Sequence, residues 1–98
     1  IKIVDITEVD CIFSENKLTY FHTISDKNYV FDGSLESLMD QLNPNQFFRI
    51  NRQQIVQLDH IVEIKIYQQT RLKLYLTGFK DEVIVSRERV QDFKNWIA

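Results

Sequence analysis

Apolar residues recur at every second position along much of this chain. Over Arg71–Leu76 the alternation is clean, with Leu72, Leu74 and Leu76 on one face and Arg71, Lys73 and Tyr75 on the other, the pattern of a half-buried strand. Ile1–Val4, Val9–Phe13, Leu18–Ile24, Asn28–Phe31, Phe47–Ile50, Ile55–Leu58, His60–Tyr67 and Glu82–Val85 read as further short strands, rich in β-branched and aromatic residues. Ser25-Asp26-Lys27 turns one hairpin, Gly78 supports another turn, and Ile61, Ile64 and Ile66 are candidates for burial. The period changes twice. Leu35, Leu38, Met39 and Leu42 follow helical spacing behind Ser34, a good N-cap, until Asn43-Pro44 stops the run. Val90, Phe93 and Ile97 share one face of a final helix that Ser86 can cap. The pattern predicts a mainly β domain of short antiparallel strands, with a short central helix and a C-terminal helix.

Composition narrows this picture. At 98 residues, 44% of them hydrophobic and with seven Phe, residues 1–98 form one domain that can bury roughly 60–70% of its unfolded surface. Cys11 is the only cysteine, which excludes an internal disulfide and a cysteine-rich zinc site and fits a reducing, cytoplasmic compartment. No apolar run approaches the ~18 residues of a membrane span, and no signal peptide is visible. The chain opens on Ile1 rather than Met, so a piece of a longer protein is expected, with an upstream domain outside it.

The net charge of −2 speaks against a nucleic-acid partner until its distribution is considered. Residues 1–46 carry three bases and eight acids, and residues 47–98 carry nine bases and six acids, so the halves differ in sign at −5 and +3. A local basic patch matters more for phosphate contact than the total does.

That patch has a focus. Phe47-Phe48 and Ile55-Val56 bracket a polar loop holding Arg49, Asn51, Arg52, Gln53 and Gln54, with no acid between Asp40 and Asp59. Arginine forks and carboxamides are the side chains that read guanine and adenine edges in a DNA major groove. Apolar pinning at both ends would preorganise such a loop for binding, whereas a plain solvated loop would have the same composition. Arg52, in mid-loop, is the base-reading candidate, while Arg49, between Phe48 and Ile50, suits a structural salt bridge equally well. A second cluster, Ser86-Arg87-Glu88-Arg89, stands where the last strand turns into the C-terminal helix. Free N–H groups at a helix start suit a phosphate, and Arg87 and Arg89 add to that; Ser86 as a simple cap with Glu88 on the dipole is compatible with it. His22, His60 and Cys11 match no metal-ligand spacing, and Cys11 reads as a small buried hydrophobe. No phosphate-binding glycine loop, no nucleophile elbow and no dense carboxylate pair at a predicted cleft is visible. Nothing points to an enzyme, a metal or a cofactor.

In order, these segments resemble the LytTR family of bacterial DNA-binding domains. The resemblance rests on residues 31–38 (Phe31-Asp32-Gly33-Ser34-Leu35-Glu36-Ser37-Leu38), residues 47–58 around Phe48-Arg49-Ile50-Asn51-Arg52, Ile61 through Ile64, and Val83-Ile84-Val85-Ser86-Arg87. It runs over nearly the whole chain, and its two motifs are specific only in combination. It implies a core of about ten short strands in three antiparallel sheets with small helices, and loops that enter successive major grooves of a bent duplex. It further implies an output domain of a two-component response regulator, behind a receiver domain, acting as a dimer on repeated sites. By position, Arg52 and Arg87 fall where the family places groove-entering side chains, and the loop around Lys17 and Leu18 falls at a third contact region. Gln53, Ser86 and Glu88 lie beside those contacts, where phosphate interactions are expected, with Asn51 and Arg89 in support.

The chain also departs from the family. Asn51 stands where His is frequent, Gln53-Gln54 where Ser-Tyr is common, and Gln57 where Asn is common. Leu18 has no side-chain donor, which leaves its loop a thymine methyl or a phosphate. These differences bear on which bases are preferred rather than on DNA binding itself. The acidic first half and the aromatic content keep a second class open: a protein-interaction or ligand-sensing β module of a regulatory protein.

Overall fold

The computed structural model describes residues 3–98. Eight strands, β1 (Val9–Glu15), β2 (Leu18–Thr23), β3 (Asn28–Phe31), β4 (Phe47–Asn51), β5 (Gln54–Gln57), β6 (Ile61–Tyr67), β7 (Arg71–Leu76) and β8 (Ile84–Val85), are joined by two helices, α1 (Leu35–Met39) and α2 (Val90–Ile97). The strands form two antiparallel sheets, ordered β3-β2-β1-β5-β4 and β6-β7-β8, rather than three; eight strands among the described residues fit the about ten expected. The mainly antiparallel β architecture with a short central and a C-terminal helix is as the pattern predicts.

Alternation sets the layering. One face of the five-stranded sheet carries Val9, Ile12, Phe47 and Ile55 and is covered by Leu35 and Leu38 of α1. The other carries Cys11, Ile50 and Val56 and packs on Leu72, Leu74, Leu76, Val83, Val85 and on Phe93 of α2. The five-stranded sheet is thus a middle layer with a core on each side. Helix α1 starts where expected: Ser34 and Ser37 cap each other reciprocally, at 3.1 and 3.2 Å. It ends at Met39 rather than Leu42. Pro44 biases Asn43 away from helical conformation, and Leu38 O takes both Gln41 N and Leu42 N in a tightened turn that still delivers Leu42 to the core.

Several expectations are corrected. Ile3 and Val4 are not in a strand, and Ile1 lies outside the described residues; a 3-10 turn over Ile6–Glu8, capped by Asp5, leads into β1 instead. His60 belongs to a 3-10 turn, Leu58–His60, and only Ile84–Val85 of the Glu82–Val85 segment pairs. In β6, Ile64 is 39% and Ile66 79% exposed, so neither is core. The strand sits at a sheet edge, and the covering layers do not reach it. In α2 Ile97, at the open end, is exposed. Trp96 packs instead, its ring 5.2 Å from Phe48 and its Nε1 donating to Pro44 O at 2.9 Å.

The two sheets are joined by a buried charge. Asp10 is the extra residue where the β1–β2 register breaks between Val9 and Cys11, and a bulge re-aims a side chain. Its carboxylate is fully buried, meeting His22 Nδ1 at 2.7 Å with one oxygen and accepting Gly78 N and Phe79 N at 2.8 Å each with the other. His22 Nε2 lies 2.9 Å from Asp26 Oδ1. Burial opposes a charge on His22, but hydrogen bonds to Asp10 and Asp26 and their charges outweigh it, so its pKa is raised above the ordinary imidazole value. Gly78 allows the close approach: a Cβ there would stand 3.0 Å from the Ile24 backbone.

Candidate nucleic-acid interface

Four connections meet at one end of the molecule. Glu15 pairs with Leu18 across the β1–β2 turn, and Phe13 pairs with Gln54, so the β1–β2 and β4–β5 turns project from the same end of the five-stranded sheet. Ser14 N donates to Gln53 O at 2.9 Å across the gap. At β4, Ser86 N donates to Ile50 O at 2.9 Å, bringing the β8 exit alongside. Tyr67 pairs with Arg71 and Leu72 with Val85, which brings the β6–β7 turn to that exit, where Arg87 Nε reaches Thr70 Oγ1 at 3.3 Å. The row runs from Lys17 through Arg52 and Arg87 to Arg71. Two strand spacings, about 10 Å, separate its first two turns.

The β1–β2 turn has two residues, Asn16 and Lys17, both left-handed at φ 51° and 67°. A two-residue hairpin of this kind favours Asn-Gly, so Lys17 stands where glycine would be easier. Its side chain is exposed and borders one open depression with Ser14, Gly33, Ser34, Glu36, Arg49 and Arg52.

The β4–β5 turn is held from within. Asn51 Oδ1 accepts from Gln53 N at 2.8 Å, an Asx turn, while its Nδ2 donates to Gln54 Oε1 at 2.9 Å and to Ile84 O at 2.8 Å. Gln54 Nε2 donates to Glu82 O at 2.9 Å. Arg49 is the clamp: Nε donates to Asn51 O at 3.2 Å, Nη2 to Arg52 O at 2.6 Å, and Nη1 pairs with Glu36 at 2.9 Å. Its salt bridge makes it structural. The Glu36 carboxyl is held below its ordinary range by a hydrogen bond to its own backbone and then by Arg49. With its carbonyl bound by Arg49, Arg52 is presented at the tip, exposed and without a side-chain hydrogen bond to the described residues; Gln53 is exposed beside it.

Ser86 does not cap. Its hydroxyl donates to Ile50 O at 3.2 Å, and a 3-10 turn, Arg87–Arg89, intervenes before α2. Arg89 anchors that turn through Nη1 to Arg49 O at 3.2 Å. Arg87 and Glu88 are exposed, and with Asn51, Arg71 and Ser86 they line a second depression beside the first.

The structure therefore divides the candidate residues. Arg52, Arg87 and Lys17 are outward cations on one end, whereas Asn51, Ser86 and Arg89 use side-chain groups to lock the turns together. Sequence reasoning missed the β6–β7 turn. Arg71 looks there like one surface position of an alternating strand, yet it lines the depression beside Arg87 and stacks 5.6 Å over Tyr67. It also donates to Gln68, which with Gln69 is left-handed. Among the described residues no group of His, Cys, Asp and Glu is arranged to hold a metal, and no helix is long and apolar enough to cross a membrane.

Comparison with known proteins places the chain. The family model for the LytTr DNA-binding domain matches residues 1–98. Among solved structures, the LytTr DNA-binding domain of a Bacillus cereus protein named as a methyl-accepting/DNA response regulator superposes with a TM-score of 0.88 at 22% identity, covering 97% of this chain and 85% of that one. No curated protein matches significantly.

Proposed function

The chain belongs to the LytTR family of DNA-binding domains, and from that premise we propose that it binds duplex DNA sequence-specifically as the output module of a transcriptional regulator. The observation that carries this reading is the row of turns at one end, which holds Arg52 and Arg87 outward on a framework of carbonyl-directed hydrogen bonds. Arg52 and Arg87 read base edges in successive major grooves, each contributing about 1–3 kcal/mol of discrimination. Lys17 and Arg71, with Gln53 and the main-chain N–H groups of Arg87 and Glu88 beside Ser86, set register on the backbone. Asn51 and Arg89 support the contacts by holding the turns. The name of the Bacillus cereus relative supports a response-regulator context: a receiver domain upstream, a cytoplasmic protein, and two copies on a repeated site that gain affinity through effective concentration.

Selection of bound duplexes from a random pool, followed by fluorescence anisotropy on the selected site, tests the reading. Arg52→Ala and Arg87→Ala should each weaken specific binding at least about tenfold, a loss of about 1.4 kcal/mol, with melting temperatures within a few degrees of the parent. Unfolding by either change would make that arginine structural and end its assignment. With three or four phosphates neutralised, log affinity should fall against log salt with a slope of about −2.7 to −3.6. No binding even at low salt would favour the protein-interaction or ligand-sensing module instead.

A further inference from the structure

Strand β6 pairs with β7 alone, and its outer edge is unpaired among the described residues. An open edge is a template for another strand, and proteins commonly blunt it with charge of one sign or with proline. β6 reads Ile61-Val62-Glu63-Ile64-Lys65-Ile66-Tyr67, with one acid, one base and no proline. Val62 is 69% and Ile66 79% exposed, and Ile64 39%. Ile64 and Ile66 stand opposite the buried Leu74 and Leu72, so they carry the apolar face of the core past its rim.

We propose that β6 pairs antiparallel with β6 of a second copy of this chain, about a two-fold axis at Ile64. The inference is independent of the DNA-binding reading. The charge pattern selects both the occupant and the register. With Ile64 opposite Ile64, Glu63 faces Lys65 of the second copy, and the symmetry repeats that pair. Val62 then faces Ile66. Ile61 and Tyr67 lie on opposite faces, as their partners Leu76 and Arg71 do, so the regular register does not extend to them. A centre at Lys65 would oppose two lysines, and a centre at Glu63 two glutamates, so moving the axis by one residue, a two-residue slip in register, replaces attraction by repulsion. The break in the β6–β7 register falls between Ile61 and Glu63, which leaves the three residues around the axis regular. Glu63 and Lys65 already lie 3.8 Å apart within one chain and are about half exposed, so the four charges of a pair of chains alternate on one face. A seven-residue edge is smaller than a standard interface, so the dimer is weak and forms at high or locally raised concentration.

Sedimentation equilibrium of the 98-residue chain, with its charge variants, tests this. Glu63→Lys and Lys65→Glu each replace two attractive pairs by repulsive ones and should weaken self-association at least about tenfold. An equimolar mixture of these two variants should form a heterodimer, and the double swap should restore self-association, neither of which misfolded variants could do. Ile64→Cys should cross-link under mild oxidation, because directly opposed Cα atoms lie about 4.5–5.5 Å apart, within disulfide reach. Lys65→Cys, at a diagonal separation of about 7–8 Å, should cross-link far more slowly. Cys11 is buried and does not compete. A chain that stays monomeric at about millimolar concentration, charge variants that associate undiminished, or Lys65→Cys cross-linking as fast as Ile64→Cys would each overturn the proposal.

Discussion

Removing the Asp10 carboxylate tests the junction between the two sheets. Asp10 is fully buried and serves three donors: His22 Nδ1, Gly78 N and Phe79 N. Asp10→Ala leaves all three donors without their acceptor in a fully buried site and removes the hydrogen bond and charge that raise the His22 pKa. Breaking a buried, hydrogen-bonded pair from one side costs about 3–5 kcal/mol, a large share of the roughly 5–15 kcal/mol that holds a domain folded. For a chain of this size that is a fall in melting temperature of roughly 15–30 °C. Asp10→Asn makes the argument more specific. The carboxamide oxygen can still accept from Gly78 and Phe79, but its NH₂ then faces His22 Nδ1, which must give up its proton and accept. The loss should be clearly smaller than for alanine, and the His22 pKa should drop. Urea unfolding followed by fluorescence and circular dichroism, with NMR titration of the His22 ring, reads both effects. A loss under about 1 kcal/mol for Asp10→Ala, or an unchanged His22 titration in Asp10→Asn, would refute the reasoning.

Further outcomes are expected from the same structure. Because the folded pKa of His22 is raised, its contribution to stability is complete below the ordinary imidazole value of about 6.5 and is lost as pH rises through the folded value; urea midpoints between pH 6 and 9 should show this fall, and His22→Gln should flatten it. Lys17→Gly relieves a left-handed lysine, so the melting temperature should hold or rise while DNA affinity drops; an unchanged affinity would remove Lys17 from the interface. The Cys11 thiol is pushed well above its ordinary pKa by burial first and by the charges of Asp10 and Asp81, so thiol reagents should label it only at the rate of unfolding, and rapid labelling of native protein would contradict the packing.

How far the sequence could be read depended on whether the deciding contact was local. Leu72, Leu74 and Leu76 were legible because strand period and burial coincide on β7, an inner strand. The same period in β6 misleads, since alternation specifies a face and only a covering layer makes that face a core. The capping pair of Ser34 and Ser37 lies within one turn and is readable in outline. By contrast, the Asp10 site joins residues 12 and 68 positions apart in sequence through a bulge, which no periodicity announces. In the interface, the outward position of Arg52 follows from its place between two apolar anchors. The inward work of Asn51 and Ser86 depends on Ile84 and Ile50, contacts that need the sheets assembled. Arg71 was hidden because nothing in its neighbours tells that the β6–β7 turn reaches Arg87.

The cations at the tips belong to neither apolar cluster, while the groups that hold the tips bond to main-chain carbonyls, which every residue type supplies. A change at Arg52 or Gln53 therefore alters what is presented without disturbing what presents it, whereas Arg87 also bonds Thr70 of the neighbouring turn. On the proposed DNA-reading role, such a module can be retargeted one side chain at a time, its recognition preferences diverging while its stability stays put; Arg49, tied to Glu36 and two carbonyls, has no such liberty.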